Sequence, residues 1–166
     1  MASYLIPYKD PNTIGGHIDP MLNEFTYGNL GINGRKLMKK IKPNDYIFFH
    51  ITIGEYRYIT SYYKVKEVIP AKEAQESPTI KEKYKNPHLY STNVSNDNVI
   101  AFGYQDKSRI LKRPLKLSPD VLNKLSRKPN LNSDQTLLAA ISSALRAWKE
   151  LDDKDVQFLL GKINKQ

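Results

Sequence analysis

Two β-rich runs separated by a two-residue turn constrain this chain more than any other feature. Asp45-Tyr-Ile-Phe-Phe-His-Ile-Thr-Ile53 and Tyr56-Arg-Tyr-Ile-Thr-Ser-Tyr-Tyr-Lys-Val-Lys-Glu-Val-Ile69 are dense in β-branched and aromatic residues, and Gly54-Glu55 stands between them. Such a pattern predicts a long antiparallel hairpin. Ile47, Phe49, Ile51 and Ile53 fall on one side of the first strand, and Ile59, Tyr63, Val65 and Ile69 on one side of the second. Period-two alternation of this kind predicts one buried face, with Tyr56, Tyr58 and Tyr62 turned the other way.

The rest of the chain arranges itself around that hairpin. Ser3–Pro7 reads as a first short strand. Residues 8–34, rich in Gly, Asn and Pro, read as irregular binding-loop sequence. One or two helical turns follow over Arg35–Ile41, with Leu37, Met38 and Ile41 inward, and Pro43-Asn44-Asp45 stops them. Residues 70–88 are polar and predict an exposed loop or short helix. Val99–Tyr104 and Ile110–Leu117 read as further strands, Pro114 favouring an edge position for the second. Ser118-Pro119-Asp120 has a serine cap and a proline at the first helical position, so a helix begins there and buries Val121, Leu122 and Leu125. Two more helices are expected over 134–150 and 153–164, the first carrying a stripe of Leu137, Leu138, Ile141, Leu145 and Trp148. Asp152 or Asp153 caps the second. The organisation expected is one globular unit, residues 1–130 forming a barrel domain and 131–166 helices packed on it.

Composition removes whole classes of chemistry. There is no cysteine among the 166 residues, which excludes disulfides, thiolate metal sites, thiol nucleophiles and iron–sulfur clusters. No apolar run approaches the length that spans a bilayer, and the N-terminus lacks a signal-peptide pattern; a cytoplasmic protein without a membrane partner is expected. His17, His50 and His88 are too scattered to announce a metal site, and no cofactor motif is present. Gly28-x-x-Gly31-x-x-Gly34-Arg-Lys matches neither phosphate-loop fingerprint and reads as turns that need glycine. His50, within a strand, reads as a hydrogen-bonded structural residue.

Charge points toward a polyanionic partner. Lys and Arg number 26 against 17 Asp and Glu, a formal charge of +9. Arg35, Lys36, Lys39, Lys40 and Lys42 put five cations into eight residues, and Lys107, Arg109, Lys112, Arg113, Lys116, Lys124, Arg127 and Lys128 are opposed only by Asp120. If the fold gathers the two blocks, they form a basic face that tracks phosphates; the alternative is a solvated lysine-rich surface. Eleven tyrosines and five phenylalanines, with Phe25-Thr-Tyr27 just before the first block, add rings that stack unpaired bases, although the same rings also serve to fill a β core.

Several segments, in this order, resemble a known family: Asp19-Pro-Met-Leu-Asn-Glu-Phe-Thr-Tyr-Gly28, the basic turn, Lys42-Pro-Asn-Asp-Tyr-Ile-Phe-Phe49, Tyr58-Ile-Thr-Ser-Tyr-Tyr-Lys-Val-Lys-Glu-Val68, and Val99-Ile-Ala-Phe-Gly-Tyr-Gln-Asp-Lys-Ser-Arg-Ile-Leu-Lys112. The chain resembles the third subfamily of the nucleotide-modification-associated domains, within the wider PUA-like superfold that includes EVE, ASCH and YTH domains. The likeness touches roughly residues 3–160, and His17-x-Asp19-Pro20, Phe25-Thr-Tyr-Gly28 and Ser108-Arg109 are its more specific parts. It implies an α+β, PUA-like mixed β pseudo-barrel with flanking helices and a helical C-terminal segment, associated with DNA or RNA and with modified bases. On that reading the protein is a nucleic-acid-binding module that takes a modified or flipped base into an aromatic pocket. Phe25 and Tyr27 are the candidate stacking residues, and His17 and Asp19 the candidate base-edge or ribose contacts. Arg35, Lys36, Lys39, Lys40, Arg109 and Lys112 are candidate phosphate contacts, and Ser108 a short-range hydrogen-bond donor or acceptor. Two alternatives stay open: an enzyme of base or nucleotide modification using His17 and Asp19 as an acid/base pair, and a protein-interaction module docking through an exposed stripe around Trp148.

Overall fold

The computed structural model describes residues 2–10 and 18–166. Along them run β1 (Ser3–Pro7), β2 (Thr26–Asn29), α1 (Gly31–Lys40), β3 (Tyr46–Ile53), β4 (Tyr56–Pro70), α2 (Ala71–Gln75), α3 (Pro78–Lys83), a 3₁₀ turn (Pro87–Tyr90), β5 (Val99–Gly103), β6 (Arg109–Lys116), α4 (Pro119–Leu122), α5 (Leu137–Ala144), β7 (Lys149–Leu151) and α6 (Asp153–Asn164). The chain divides into two compact units. The first comprises Met1–Lys9, Tyr46–Tyr62 and Ile110–Gln166; the second comprises Asp10–Asp45 and Tyr63–Arg109.

In the first unit β1 lies between two partners, parallel to β3 (Leu5↔Phe48) and antiparallel to β7 (Ser3↔Leu151). A strand paired on both sides and covered on both faces needs apolar residues without alternation, and Tyr4, Leu5 and Ile6 are all buried. The same cover reaches β3, where Ile47, Phe48, Phe49 and His50 are each fully buried. The expectation of a single buried face is therefore corrected for this strand: its middle is buried on both faces, while its tip at Ile53 is 48% exposed. In β4 the alternation holds, with Ile59 and Ser61 buried on one face. Phe48 and Ile59 join Leu115, Leu122, Ile141 and Leu159 in the unit's apolar core, a burial worth about 1.5–3 kcal/mol per large side chain.

The helical end of this unit follows its caps. Ser118 accepts a hydrogen bond from the Val121 amide, with Pro119 in the first turn of α4. At α6, Asp152 Oδ1 accepts from the Asp155 amide at 2.8 Å while Asp155 Oδ2 accepts from the Asp152 amide at 3.1 Å, a reciprocal capping box. The helix expected over 134–150 is shorter than its pattern. It stops after Ala144, and Lys149–Leu151 extends as β7, because an unpaired edge of β1 offers backbone bonds that a further helical turn does not. Trp148 consequently leaves the helical stripe and sets its ring edge-on to Tyr4 at 5.8 Å.

The second unit is built on β5. Antiparallel to it on one side is β2 (Tyr27↔Ala101, Gly28↔Ile100), and on the other the second half of β4 (Val68↔Ala101, Ile69↔Ile100), with an irregularity in register between Val65 and Glu67. Both β2 and the first turn of α1 occupy sequence expected to be irregular. The helix begins at Gly31, whose φ of +63° suits glycine. Leu37 and Ile41, four residues apart, share the buried face, whereas Met38 is turned about 100° away and is 40% exposed, which corrects its inward placement. Residues 70–88 contain the short helices α2 and α3, one of the two expected alternatives, but they are not wholly exposed. Ala71 and Ala74 are fully buried, and Tyr84 sets its ring edge-on to Phe102 at 5.0 Å. Small apolar residues at helical spacing were hidden there among lysines and glutamates.

Candidate nucleic-acid interface

The centre of the second unit's polar architecture is Asp19. Its side chain is only 4% exposed, and every donor around it comes from elsewhere in the chain. The Gly28 amide donates to both carboxylate oxygens at 3.0 Å, Asn86 Nδ2 donates to Oδ1 at 3.0 Å, and His88 Nε2 lies 3.2 Å from Oδ2. A buried carboxylate requires such saturation, and its lone pairs are committed to holding β2 and the 3₁₀ turn together.

His88 is the partner that makes this a charged pair. Asn98 Nδ2 donates to the Asn93 carbonyl at 3.0 Å, which aims Asn98 Oδ1 at His88 Nδ1, 2.6 Å away. Both ring nitrogens therefore face acceptors, and an imidazole satisfies two acceptors only when both nitrogens carry protons. Burial alone pushes the His88 pKa down, but the hydrogen bonds and charge of Asp19, with Asn98, outweigh it and hold the pKa above its ordinary value. The ring lies flat against Gly28, where a Cβ would come within 2.2 Å of His88 Cδ2. That contact is why the residue after Tyr27 is glycine.

Around this staple the other residues singled out in the sequence take their places. Thr26 Oγ1 accepts from Asn86 Nδ2 at 3.1 Å and donates to Glu24 Oε2 at 2.8 Å. Phe25, at φ +57°, sets its half-buried ring edge-on to Tyr63 at 5.6 Å. Tyr27 is 6% exposed, and its hydroxyl accepts from Asn29 Nδ2 at 2.8 Å; burial, with the nearby Asp19 charge, pushes its phenol pKa up. A ring so enclosed presents no open face to a base, so Tyr27 belongs to the core rather than to a stacking platform. Asp19 is corrected in the same way: its carboxylate organises the segment instead of facing outward. Ser108, also buried, accepts from the Lys64 amide at 3.1 Å, and its Oγ lies 2.6 Å from where a Gly103 Cβ would stand, so its short-range hydrogen bond is made to the protein itself. His17 lies outside the described residues.

The cations divide between the units. Arg35, Lys36, Lys39 and Lys40 project from α1, and Arg109 begins β6, all in the second unit; Lys112, exposed on β6, belongs to the first. Arg35 Nη1 pairs with Asp97 Oδ2 at 2.9 Å, largely in solvent. Asp97 also accepts from the Gly31 amide at the start of α1, and the Ser95 hydroxyl, Arg35 and that amide hold its pKa below the usual carboxylate range. Lys39 and Lys40 are exposed and without an ion-pair partner among the described residues. The residues that sequence reasoning missed are Asn86, His88 and Asn98. Their signal was a cluster of short polar side chains around Pro87, which ordinarily reads as a loop.

His50 shows the opposite electrostatic setting in the first unit. Its Nδ1 accepts from Arg57 Nε at 2.9 Å, so the proton sits on Nε2, which is buried without a hydrogen-bond partner among the described residues. Burial and the adjacent guanidinium push the pKa down to about 3. It is a hydrogen-bonded structural residue. Among the described residues no group of three or more His, Cys, Asp or Glu is arranged to hold a metal ion, and no helix is long and apolar enough to cross a membrane.

Strand order, helices and the polar staple define an α+β domain of PUA-like fold. The chain belongs to the nucleotide modification associated domain 3 family, whose model matches residues 6–161. No curated protein matches it by sequence. Among solved structures, a hypothetical protein from Leishmania major is similar with a TM-score of 0.53 at 13% identity, covering 100% of this chain and 96% of that one. Human THYN1, solved in complex with 5-methylcytosine-containing DNA, is similar with a TM-score of 0.51 at 15% identity, covering 100% of this chain and 99% of that one.

Proposed function

We propose that this chain is a nucleic-acid-binding module that recognises a modified base. The observation that carries the reading is Lys39 and Lys40: two exposed cations without acidic partners among the described residues, at the end of α1, the helix that follows directly on β2. The family's association with nucleotide modification and the fold shared with a protein solved on 5-methylcytosine-containing DNA support it, and make that DNA the first ligand to try. In this reading Arg35, Lys36, Lys39, Lys40, Arg109 and Lys112 contact phosphates, Phe25 supplies the stacking ring and His17 a base-edge contact. Asp19 and His88 hold β2 at Gly28, three residues after Phe25, and Tyr27 fills the core beneath.

The test is fluorescence anisotropy with matched unmodified and 5-methylcytosine duplexes, single strands and RNA, between about 50 and 200 mM salt. The expected result is a steep salt slope and tighter binding to one modified ligand, with the slope reduced by about 1–2 in the Lys39→Ala/Lys40→Ala variant. Absence of binding at about 50 mM salt, or an unchanged slope in that variant, overturns the reading.

A further inference from the structure

A second feature lies on the other unit and is independent of α1. On the outer side of α6, Lys124, Gln157, Phe158, Gly161, Lys162 and Lys165 line a concavity of about 320 Å³, within the range of small-ligand sites. Phe158 forms one wall, half-buried, its inner side packed on the apolar core. Lys162 Nζ lies over that ring, 5.9 Å from its centre, at the outer limit of a cation–π contact, so a planar group that stacks on Phe158 displaces the ammonium from the ring face on its flexible stem. None of the three lysines is in an ion pair among the described residues.

Lysines near a helix C-terminus have an ordinary explanation in the helix dipole. Two observations go beyond it. Lys124 is not on α6 at all; it follows α4 and reaches the same concavity. And Gly161 stands inside the helix although a Cβ there meets nothing within 4 Å and its φ is not positive. Glycine weakens a helix interior relative to alanine, and no neighbour demands it here. A Cβ at this position would stand in open space among the residues that line the concavity.

We infer that this groove is a nucleotide site, stacking a base on Phe158 over the bare backbone at Gly161 and holding its phosphate among Lys124, Lys162 and Lys165. Gln157 at the rim supplies an amide able both to donate to and accept from a base edge. The shared chemistry is a nucleoside monophosphate unit, whether free or within a strand.

The test titrates the protein with AMP, a short single-stranded oligonucleotide and inorganic phosphate, following amide and aromatic chemical shifts by NMR. Shifts at Gly161 and the Phe158 ring are expected with AMP or the oligonucleotide; response to AMP alone marks a free-nucleotide site, and response to the oligonucleotide only a strand site. Gly161→Ala folds with a raised Tm and weakens binding, and Gly161→Met folds and fills the groove, abolishing it. Phe158→Leu keeps the core contact and weakens binding about 5- to 150-fold. The Lys39→Ala/Lys40→Ala variant leaves the AMP response unchanged, so failure here and failure of the α1 reading are separable. The inference is overturned if no probe shifts α6, if Gly161→Met binds as well as the parent, or if inorganic phosphate binds as tightly as AMP and Phe158→Leu alters neither.

Discussion

His50 in the first unit and His88 in the second are both buried within a few per cent of completely, yet their surroundings push their pKa values in opposite directions. His50 meets a guanidinium and no acid, and its pKa falls to about 3; His88 meets a carboxylate and an amide oxygen, and its pKa rises. Burial sets the size of the stakes, and the partner sets the sign. The consequence for the units differs accordingly. One is an apolar core that tolerates a neutral imidazole; the other is organised by a buried ion pair that fixes the Asp19–Gly28 segment.

The contrast can be broken most severely at Asp19. Asp19→Ala leaves the His88 cation uncompensated among Gly28, Asn86 and Asn98; a loss of about 3–5 kcal/mol is expected, measured by urea unfolding, with the His88 ring signals reporting a lowered pKa. If stability and titration are both unchanged, the pair is not the organising element.

Acid should act on the two histidines with opposite sign. For His50 the folded pKa lies below the unfolded 6.5, so its contribution is full above pH 6.5 and is lost as pH falls toward about 3, up to about 4 kcal/mol over that window. For His88 the folded pKa is raised, so its contribution is full below 6.5 and is lost as pH climbs through the folded value. His50→Gln keeps an acceptor for Arg57 and removes the titration. Its Tm should therefore depend less steeply on pH between 6.5 and 3 than the parent's; parallel curves would remove His50 from the account.

Gly28→Ala sharpens the same comparison sterically, since the added carbon meets the His88 ring. About 1–3 kcal/mol should be lost, by thermal unfolding, whereas Gly161→Ala in the other unit should gain. The smallest effect is expected at Ser61, whose Oγ is buried on the β4 face without a partner among the described residues. Ser61→Ala should be neutral or stabilising by up to about 1 kcal/mol, and a clear loss would reveal a bond the hydroxyl makes.

How much of this was legible in sequence depends on the range of the interactions. The β3–β4 hairpin, the serine cap of α4 and the Asp152 cap of α6 are local, and residue type with spacing suffices for them. The start of α1 is not: its capping residue Leu30 offers no side-chain bond, and the carboxylate that meets its first turn belongs to Asp97. β7 was read as helix because its extended form depends on β1, at the opposite end of the chain. In the candidate interface the resemblance drew attention to Asp19, Phe25, Tyr27 and Ser108 as ligand contacts. Asp19, Tyr27 and Ser108 are buried, hydrogen-bonded parts of the scaffold; Asp19 is held by Asn86 and His88, with Asn98 behind His88, a partnership between positions 67 residues apart that leaves no periodic trace.

The pairing of Ser3 with Leu151 also has a consequence for synthesis. The second unit draws its last residue from Arg109, so all its strands are available while the remainder of the chain is still being translated. In the first unit β1 waits for β7, whose Leu151 pairs with Ser3 across most of the described sequence. Closing so long a loop is entropically slow, and until Leu151 emerges the apolar strand carrying Tyr4, Leu5 and Ile6 keeps one edge unpaired. During that interval it is a ready template for another nascent chain, and the arrival of three residues, Lys149–Leu151, covers that edge of β1.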